Sequence, residues 1–315
     1  MAMYKNSKIY VAGHTGLLGS ALINKLSEHG YSNIITKPHA ELELTEKKAV
    51  FDFFEKERPG YVFLAAGKVG GIISNKIYPA DYLHINIAIQ DNVFEASQRM
   101  NVKKLLFYGA SCTYPKDCLQ PIKETDFLTG PIELTSFGYA ASKIAGLVAC
   151  KSYNQQYDEN RFIALVPNTI YGPNDNFDME NAHVVSALIH KFHKAKVNNE
   201  SNVVLWGSGN PRRELIFSTD VAEASIFSMQ NADRLENTHY NVGTGEDYTI
   251  RELAEHIAKC VGYKGKVHWD KNKPDGAERK LLDSTKFLSL GWKPKVSFEE
   301  GLELTYEWFK VNVSS

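Results

Sequence analysis

The chain has no long apolar run, no cysteines at C-x-x-C spacing and no excess of either charge. Each absence narrows the function. Without a stretch approaching about 20 consecutive apolar residues, no transmembrane helix is expected. The opening "MAMYKNSKIYVAGH" also lacks the apolar core of an export signal. The four cysteines, Cys112, Cys118, Cys150 and Cys260, do not have the spacing of zinc or redox sites. No metal centre is therefore expected, and a reducing cytoplasm is the simplest compartment. With 36 basic and 37 acidic residues the net charge is -1, which gives nucleic acid or a membrane surface no electrostatic hold. Internal repeats and low-complexity segments are absent too.

What remains is an ordinary globular composition, 43% hydrophobic, over 315 residues. That length exceeds one comfortable core and points to two lobes. The first half alternates short apolar runs with amphipathic stretches. Strands are predicted at 8–13, 33–36, 61–67, 103–111 and 161–167, and helices at 17–29, 45–57, 80–100 and 137–158. In 17–29, Leu17, Leu18, Ala21, Leu22 and Leu26 share one helical face. This rhythm defines an α/β protein with a doubly wound parallel (Rossmann) sheet. The second half predicts helices at 180–197, 219–230, 249–262 and 298–311, strands at "NVVLWG" and "HYNVGTG", and a loop over 271–280. We expect a dinucleotide-binding domain over 1–170, to which 215–243 returns, and a smaller α/β substrate-binding lobe over 171–214 and 244–315.

Between the first strand and the first helix, "AGHTGLLGS" places Gly13, Gly16 and Gly19 in a G-x-x-G-x-x-G turn. Glycines there let backbone N–H groups approach a pyrophosphate at the positive helix end. The second strand ends in "ITKPHAE", with Lys37 and His39 preceding the first carboxylate, Glu41. A basic end of this kind favours the 2′-phosphate of NADP over the free ribose of NAD. Further on, "GYAASK" sets Tyr139 and Lys143 four residues apart on one helical face. An ammonium beside a phenol is expected to lower the tyrosine pKa. The pair can then exchange a proton with a carbinol oxygen during nicotinamide chemistry.

These strings, together with "KVGGI", "SCTYP", "NTIYGPNDNF", "NAHVVSALI", "LWGSGNPRRE" and "NVGTG…TIRELA", resemble the GDP-L-fucose synthase branch of the extended short-chain dehydrogenase/reductases. The resemblance implies inversion of C3 and C5 of a GDP-4-keto-6-deoxy-hexose, then reduction of its C4 ketone with NADPH. By the same resemblance Cys112 is the carbon base and His183 the opposing acid, with Tyr139, Lys143 and Ser111 at the ketone. Cofactor contacts are implied at Gly13, His14, Thr15, Gly16, Leu17, Leu18, Gly19, Lys37, His39, Ala66, Gly109, Ala110, Lys143, Pro167, Asn168, Thr169, Ile170 and His183. Lys191 and Arg213 resemble a diphosphate clamp, and Trp206, Asp275 and Lys280 resemble nucleotide contacts. A homodimer is implied through the helices at 80–100 and 137–158.

The sequence also departs from that branch. Family members carry a serine or threonine four residues before the tyrosine of "SCTYP", where this chain has Ala110. An engineered position, a takeover by Ser111 or Thr113, and a weakened reduction each account for it. Strand alternation turns Ser111 away from the position of Ala110. Thr15 and His39 replace frequent arginines, and Thr169 replaces an asparagine. Two other readings stay open: a reductase-only or epimerase-only enzyme on a related sugar such as a heptose, and an NADP-binding sensor without turnover.

Overall fold

Four runs, apolar except for Lys104 at the start of one, form the centre of the molecule. They become β1 (Ile9–Ala12), β3 (Tyr61–Leu64), β4 (Lys104–Tyr108) and β5 (Phe162–Pro167), buried along their whole length. Strands covered on both faces need apolar residues on both, which is why these runs do not alternate with polar residues. With β2 (Ile34–Ile35) and β9 (His239–Val242) they make a parallel six-stranded sheet in the order β2-β1-β3-β4-β5-β9. The computed structural model describes residues 3–179, 182–273 and 275–313.

One face of the sheet, carrying Ile9, Val11, Phe63, Leu106 and Leu165, packs on α1 (Leu17–Glu28) and α7 (Ser218–Gln230). The other, carrying Tyr10, Val62, Leu64, Phe107 and Val166, packs on α2 (Lys47–Glu57), α4 (Pro79–Arg99) and α5 (Phe137–Tyr157). Each fully buried Leu, Val or Phe contributes about 1.5–3 kcal/mol. Strand order reverses between β1 and β3, so the crevice beyond their carboxyl ends is the natural ligand site. Short helix α3 (Ile72–Ile77) follows β3.

Asn168 alone separates β5 from β6 (Thr169–Tyr171), which starts a second sheet. There β8 (Arg212–Phe217) pairs with β6 and β12 (Arg279–Lys280) in parallel, and with β10 (Asp247–Thr249) antiparallel. A separate parallel pair joins β7 (Asn202–Trp206) to β11 (Lys266–Asp270). Helices α6 (Val184–Val197), α8 (Ile250–Val261) and α10 (Phe298–Asn312) close a third apolar core with these strands. Short α9 (Thr285–Leu288) packs beside β9. Among the described residues no helix is long and apolar enough to cross a membrane.

Several sequence boundaries move. The helix predicted from 180 begins at Val184, and His183 is its N-cap with extended backbone (φ -72°, ψ 165°). Residues 180 and 181 lie outside the described set, as does Pro274 in the 271–280 loop. That loop ends in β12. The strand predicted to 111 ends at Tyr108, and Ser111–Thr113 form a 3-10 turn. Ser111 thus lies outside the strand, and strand alternation does not set the direction of its side chain.

Candidate active site

The turn after β1 is shaped by what glycine lacks. Gly13 has φ +82°, and a Cβ on it would lie 2.7 Å from the Ala66 nitrogen. A Cβ on Gly19 would sit 2.0 Å from the Gly13 carbonyl oxygen. Only glycine lets the turn, α1 and the end of β3 approach this closely. Within the turn, His14 Nδ1 is buried without a protein partner, and Thr15 and Gly16 are exposed beside half-buried Leu17 and Leu18. An open backbone cradle at a helix N-terminus, with one unpartnered donor-acceptor nitrogen, fits a dinucleotide pyrophosphate. Beyond β2, Lys37 Nζ pairs with Glu41 at 2.6 Å and His39 Nε2 with Glu43 at 2.5 Å. These are surface pairs, weak enough to exchange for a phosphate.

Beyond the carboxyl end of β4, the turn carrying Cys112 packs against α5, which carries Tyr139 and Lys143. Lys143 is buried on α5 and its ammonium donates to the Tyr108 carbonyl at 2.9 Å. It also lies 5.8 Å from the Tyr139 ring centroid. Burial lowers Lys143 to about 8, with Cys112 opposing the shift. Burial first, then Cys112 and Tyr82, raises the pKa of Tyr139. This corrects the expectation of a lysine-acidified phenol. The ammonium is committed to a backbone carbonyl, so the phenol stays protonated and suits proton donation. Cys112, on the 3-10 turn, has its thiol pushed up by burial and drawn back by Lys280 and then Lys143.

Position 110 brings no hydroxyl, and its neighbours differ in what they can offer. Thr113 is fully buried and its hydroxyl donates to the Ala110 carbonyl at 2.8 Å. It is not available to a ligand. Ser111 lines a cavity with Tyr114, Gln120, Glu133, Arg279 and Lys280. Gly109 packs tightly under this turn, where a Cβ would meet Val166 at 2.9 Å.

His183 comes from the second sheet's side of the chain. Its Nδ1 lies 3.9 Å from Asp175 Oδ1, and the other oxygen of Asp175 accepts the Ser186 hydroxyl. Asp175, inside the quoted "YGPNDNF", was not singled out from sequence. Another residue missed is Glu214, fully buried on β8. It accepts from Asn168 Nδ2 at 2.5 Å, Gly245 N at 2.8 Å and Leu282 N at 2.9 Å. Burial raises its pKa, and those donors oppose the rise. Through Asn168, which also donates to the Lys280 carbonyl, one carboxyl joins Pro167–Ile170 to β12. A Cβ on Gly243 would meet Glu214 at 2.2 Å, which explains the first glycine of "NVGTG".

The residues read from sequence as nucleotide contacts lie on α6, β7, β8, the loop before β12 and β12 itself. Lys191 Nζ donates to the Val204 carbonyl, and Arg213 Nη1 to those of Arg212 and Ala277. Asp275 holds Ser208 through the backbone N–H at 2.9 Å and the hydroxyl at 2.7 Å. A cleft of about 290 Å³ opens there between Ser208, Asn210, Arg212, Asp275 and Arg279. Trp206 is 57% exposed, with the Lys273 ammonium 5.4 Å over its ring. Its open indole face is available for stacking.

Fold and site together define a Rossmann-type protein of the tyrosine–lysine short-chain dehydrogenase/reductase class. Residues 9–243 match the NAD dependent epimerase/dehydratase family. The chain belongs to that family, in its GDP-L-fucose synthase branch. It is 50% identical over 309 residues to a putative GDP-L-fucose synthase 2 from Arabidopsis thaliana, covering 98% of this chain and 93% of that protein. It is 47% identical to GDP-L-fucose synthase from Escherichia coli K12, covering 97% of each. Among solved structures, a GDP-mannoheptose C4 reductase from Campylobacter jejuni with NADP bound superposes with TM-score 0.90 at 40% identity, covering 98% of this chain and 99% of that one.

Proposed function

We propose that the chain is an NADPH-dependent 3,5-epimerase and 4-reductase of a GDP-4-keto-6-deoxy-hexose, acting as a GDP-L-fucose synthase in the cytoplasm. The observation that carries this is the placing of Tyr139 and Lys143 on α5, the ammonium 5.8 Å from the phenol ring centroid, against the turn that carries Cys112 at the end of β4, in a chain about half identical to named GDP-L-fucose synthases. Held in the Gly13–Gly19 cradle with Ala66 and Pro167–Ile170 beside it, NADPH would supply the hydride that reduces C4. The 2′-phosphate falls to Lys37 and His39.

The protein's own residues do the rest. Carbons 3 and 5 flank the C4 ketone, so a proton removed from either leaves an enolate delocalised onto oxygen. The Cys112 thiolate takes that proton. His183, 3.9 Å from Asp175, returns one to the opposite face and inverts the centre. Lys143 and Lys280 hold the charge on sulfur against the burial that opposes it. Tyr139, kept neutral, donates its proton to the C4 oxygen as reduction completes. Lys191, Arg213, Asp275 and Trp206 hold the GDP end, with Arg213 and Lys191 on the diphosphate.

Replacing Cys112 by serine tests this assignment. The variant should lose deuterium uptake at C3 and C5 while still reducing a ketone supplied already epimerised. Retained exchange would remove Cys112 from the base role. A second reading, reduction alone on a GDP-heptose, draws on the likeness to the heptose reductase. It predicts turnover of GDP-4-keto-heptose without exchange.

The chain works as a homodimer in this reading. Ile77 at the end of α3, Leu83 and Ile87 on α4 and Val148 on α5 are exposed apolar residues on the face that a second copy would cover. Ile87→Asp should shift the mass in light scattering from two chains to one, and an unchanged mass would refute this interface.

A further inference from the structure

We propose that Arg279, aimed by the buried carboxylate of Asp247, binds the diphosphate of the nucleotide-sugar. The inference rests on the substrate being a GDP-linked sugar. Such a substrate has three parts in line: a sugar, a diphosphate and a nucleoside. Two cavities in the structure suit its ends. One is lined by Ser111, next to Cys112, with Gln120, Glu133 and Lys280, and suits the sugar. The other, of about 290 Å³, is lined by Ser208, Asn210, Arg212 and Asp275, and suits the nucleoside. Among the described residues Arg279 is the one that lines both. A ligand spanning the two cavities passes Arg279 at its middle, and in this substrate the middle is the diphosphate.

The way Arg279 is held leaves it ready for phosphate. The register of β12 on β8 sets Arg279 opposite Arg212. Like charges directly opposite one another are destabilising. Asp247 on β10, with its side chain 4% exposed, bridges them. Its Oδ1 accepts from Arg212 Nε at 2.8 Å and its Oδ2 from Arg279 Nε at 2.5 Å. Buried ion pairs seldom stabilise a fold beyond what apolar packing would, so the cluster is better explained by what it aims. Arg212 is committed within it, through Nη2 on the Asp247 carbonyl at 2.8 Å and Nη1 at 3.8 Å from Glu252. The two Nη groups of Arg279 have no hydrogen-bond partner among the described residues, and its side chain is 39% exposed. A guanidinium fixed at Nε and open at both Nη atoms can take two phosphate oxygens at once. Lys191 and Arg213 are less ready, because each already donates to backbone carbonyls. The other carboxylates lining these cavities are Glu133 on the sugar side, and Glu278 and Asp275 on the nucleoside side. Asp275 is occupied by Ser208.

Calorimetric titration with GDP and with guanosine separates the parts of the ligand. Arg279→Ala should weaken GDP about 10- to 100-fold, as expected for one truncated charge-assisted contact, and leave guanosine within about twofold. Arg279→Lys keeps the charge without the fork and should fall between. Asp247→Asn leaves Arg279 unaimed and should weaken GDP about tenfold, again with guanosine unchanged. In turnover both Arg279→Ala and Asp247→Asn should raise KM for the GDP-4-keto sugar by like factors, with kcat within about threefold. NADPH affinity should stay within about twofold, which reports an intact fold. Equal losses for guanosine and GDP would put Arg279 on the nucleoside, and a loss confined to the GDP-sugar would put it on the sugar. Either result overturns the proposal, as does unchanged GDP affinity in either variant. If the parent binds UDP or ADP with this dependence on Arg279 but does not bind GDP, the diphosphate contact stands and the GDP reading falls.

Discussion

Replacing Ala110 by serine returns a hydroxyl to the start of the turn that carries Cys112. The backbone there is extended (φ -152°, ψ 152°), which serine adopts without strain. The Ala110 carbonyl already accepts both the hydroxyl and the N–H of Thr113, so the turn is held independently of the side chain. A single preorganised donor to a developing oxyanion is worth about 10²–10³ in rate. Tyr139 donates to the same C4 oxygen, so the gain should lie at or below the low end of that range. We expect kcat for ketone reduction to rise about 10- to 100-fold, or about 1.4–2.7 kcal/mol of barrier. The assay is NADPH oxidation with saturating, already epimerised GDP-4-keto sugar. Deuterium exchange on the same variant should stay within about twofold of the parent, because Cys112 is untouched. An unchanged kcat would refute the reasoning and leave Ser111, which lines the adjoining cavity, as the hydroxyl that serves the ketone.

Gly19→Ala should weaken NADPH at least about tenfold in a fluorescence titration, since its Cβ would fall 2.0 Å from the Gly13 carbonyl; normal affinity would mean the cofactor lies elsewhere. Glu214→Ala strands the Gly245 and Leu282 amides and the Asn168 side chain, and should cost about 3–5 kcal/mol in urea unfolding. A loss under about 1 kcal/mol would deny it the hub role. Burial, aided by Lys286 and Lys151, lowers His239 to about 4 from its ordinary 6.5. The unfolded chain therefore takes the proton first as pH falls. His239 contributes stability that is whole above about pH 6.5 and is lost towards pH 4, on the order of 3 kcal/mol. His239→Gln should flatten that dependence, and an equally steep acid loss in the variant would contradict the assignment.

The central sheet was legible because β1, β3, β4 and β5 are apolar on both faces, and α1 shows its buried stripe of Ala21, Leu22 and Leu26. The strands of the second sheet were less so. β6, β10 and β12 have two or three residues each, and their partners on β8 are far away in sequence, as in Thr169 with Leu215. No local period marks such strands. Similarly, the Gly13–Gly19 turn and the Tyr139–Lys143 spacing could be read because their chemistry is local. Asp175 and Glu214 could not, since each matters through a partner set by the fold: His183 and Asn168. The state of Tyr139 was misjudged for the same reason. Its spacing from Lys143 was right, but the Tyr108 carbonyl that occupies the ammonium is 35 residues away in sequence.

The central claim is that one site removes protons beside a ketone and then reduces that ketone. Incubating the protein with NADPH and GDP-4-keto-6-deoxy-mannose in D₂O, and following the sugar by NMR, tests it most directly. The account predicts deuterium at C3 and C5 of the product GDP-L-fucose, with exchange at both positions also in the absence of NADPH. Reduction at C4 with protium retained at C3 and C5 would contradict it.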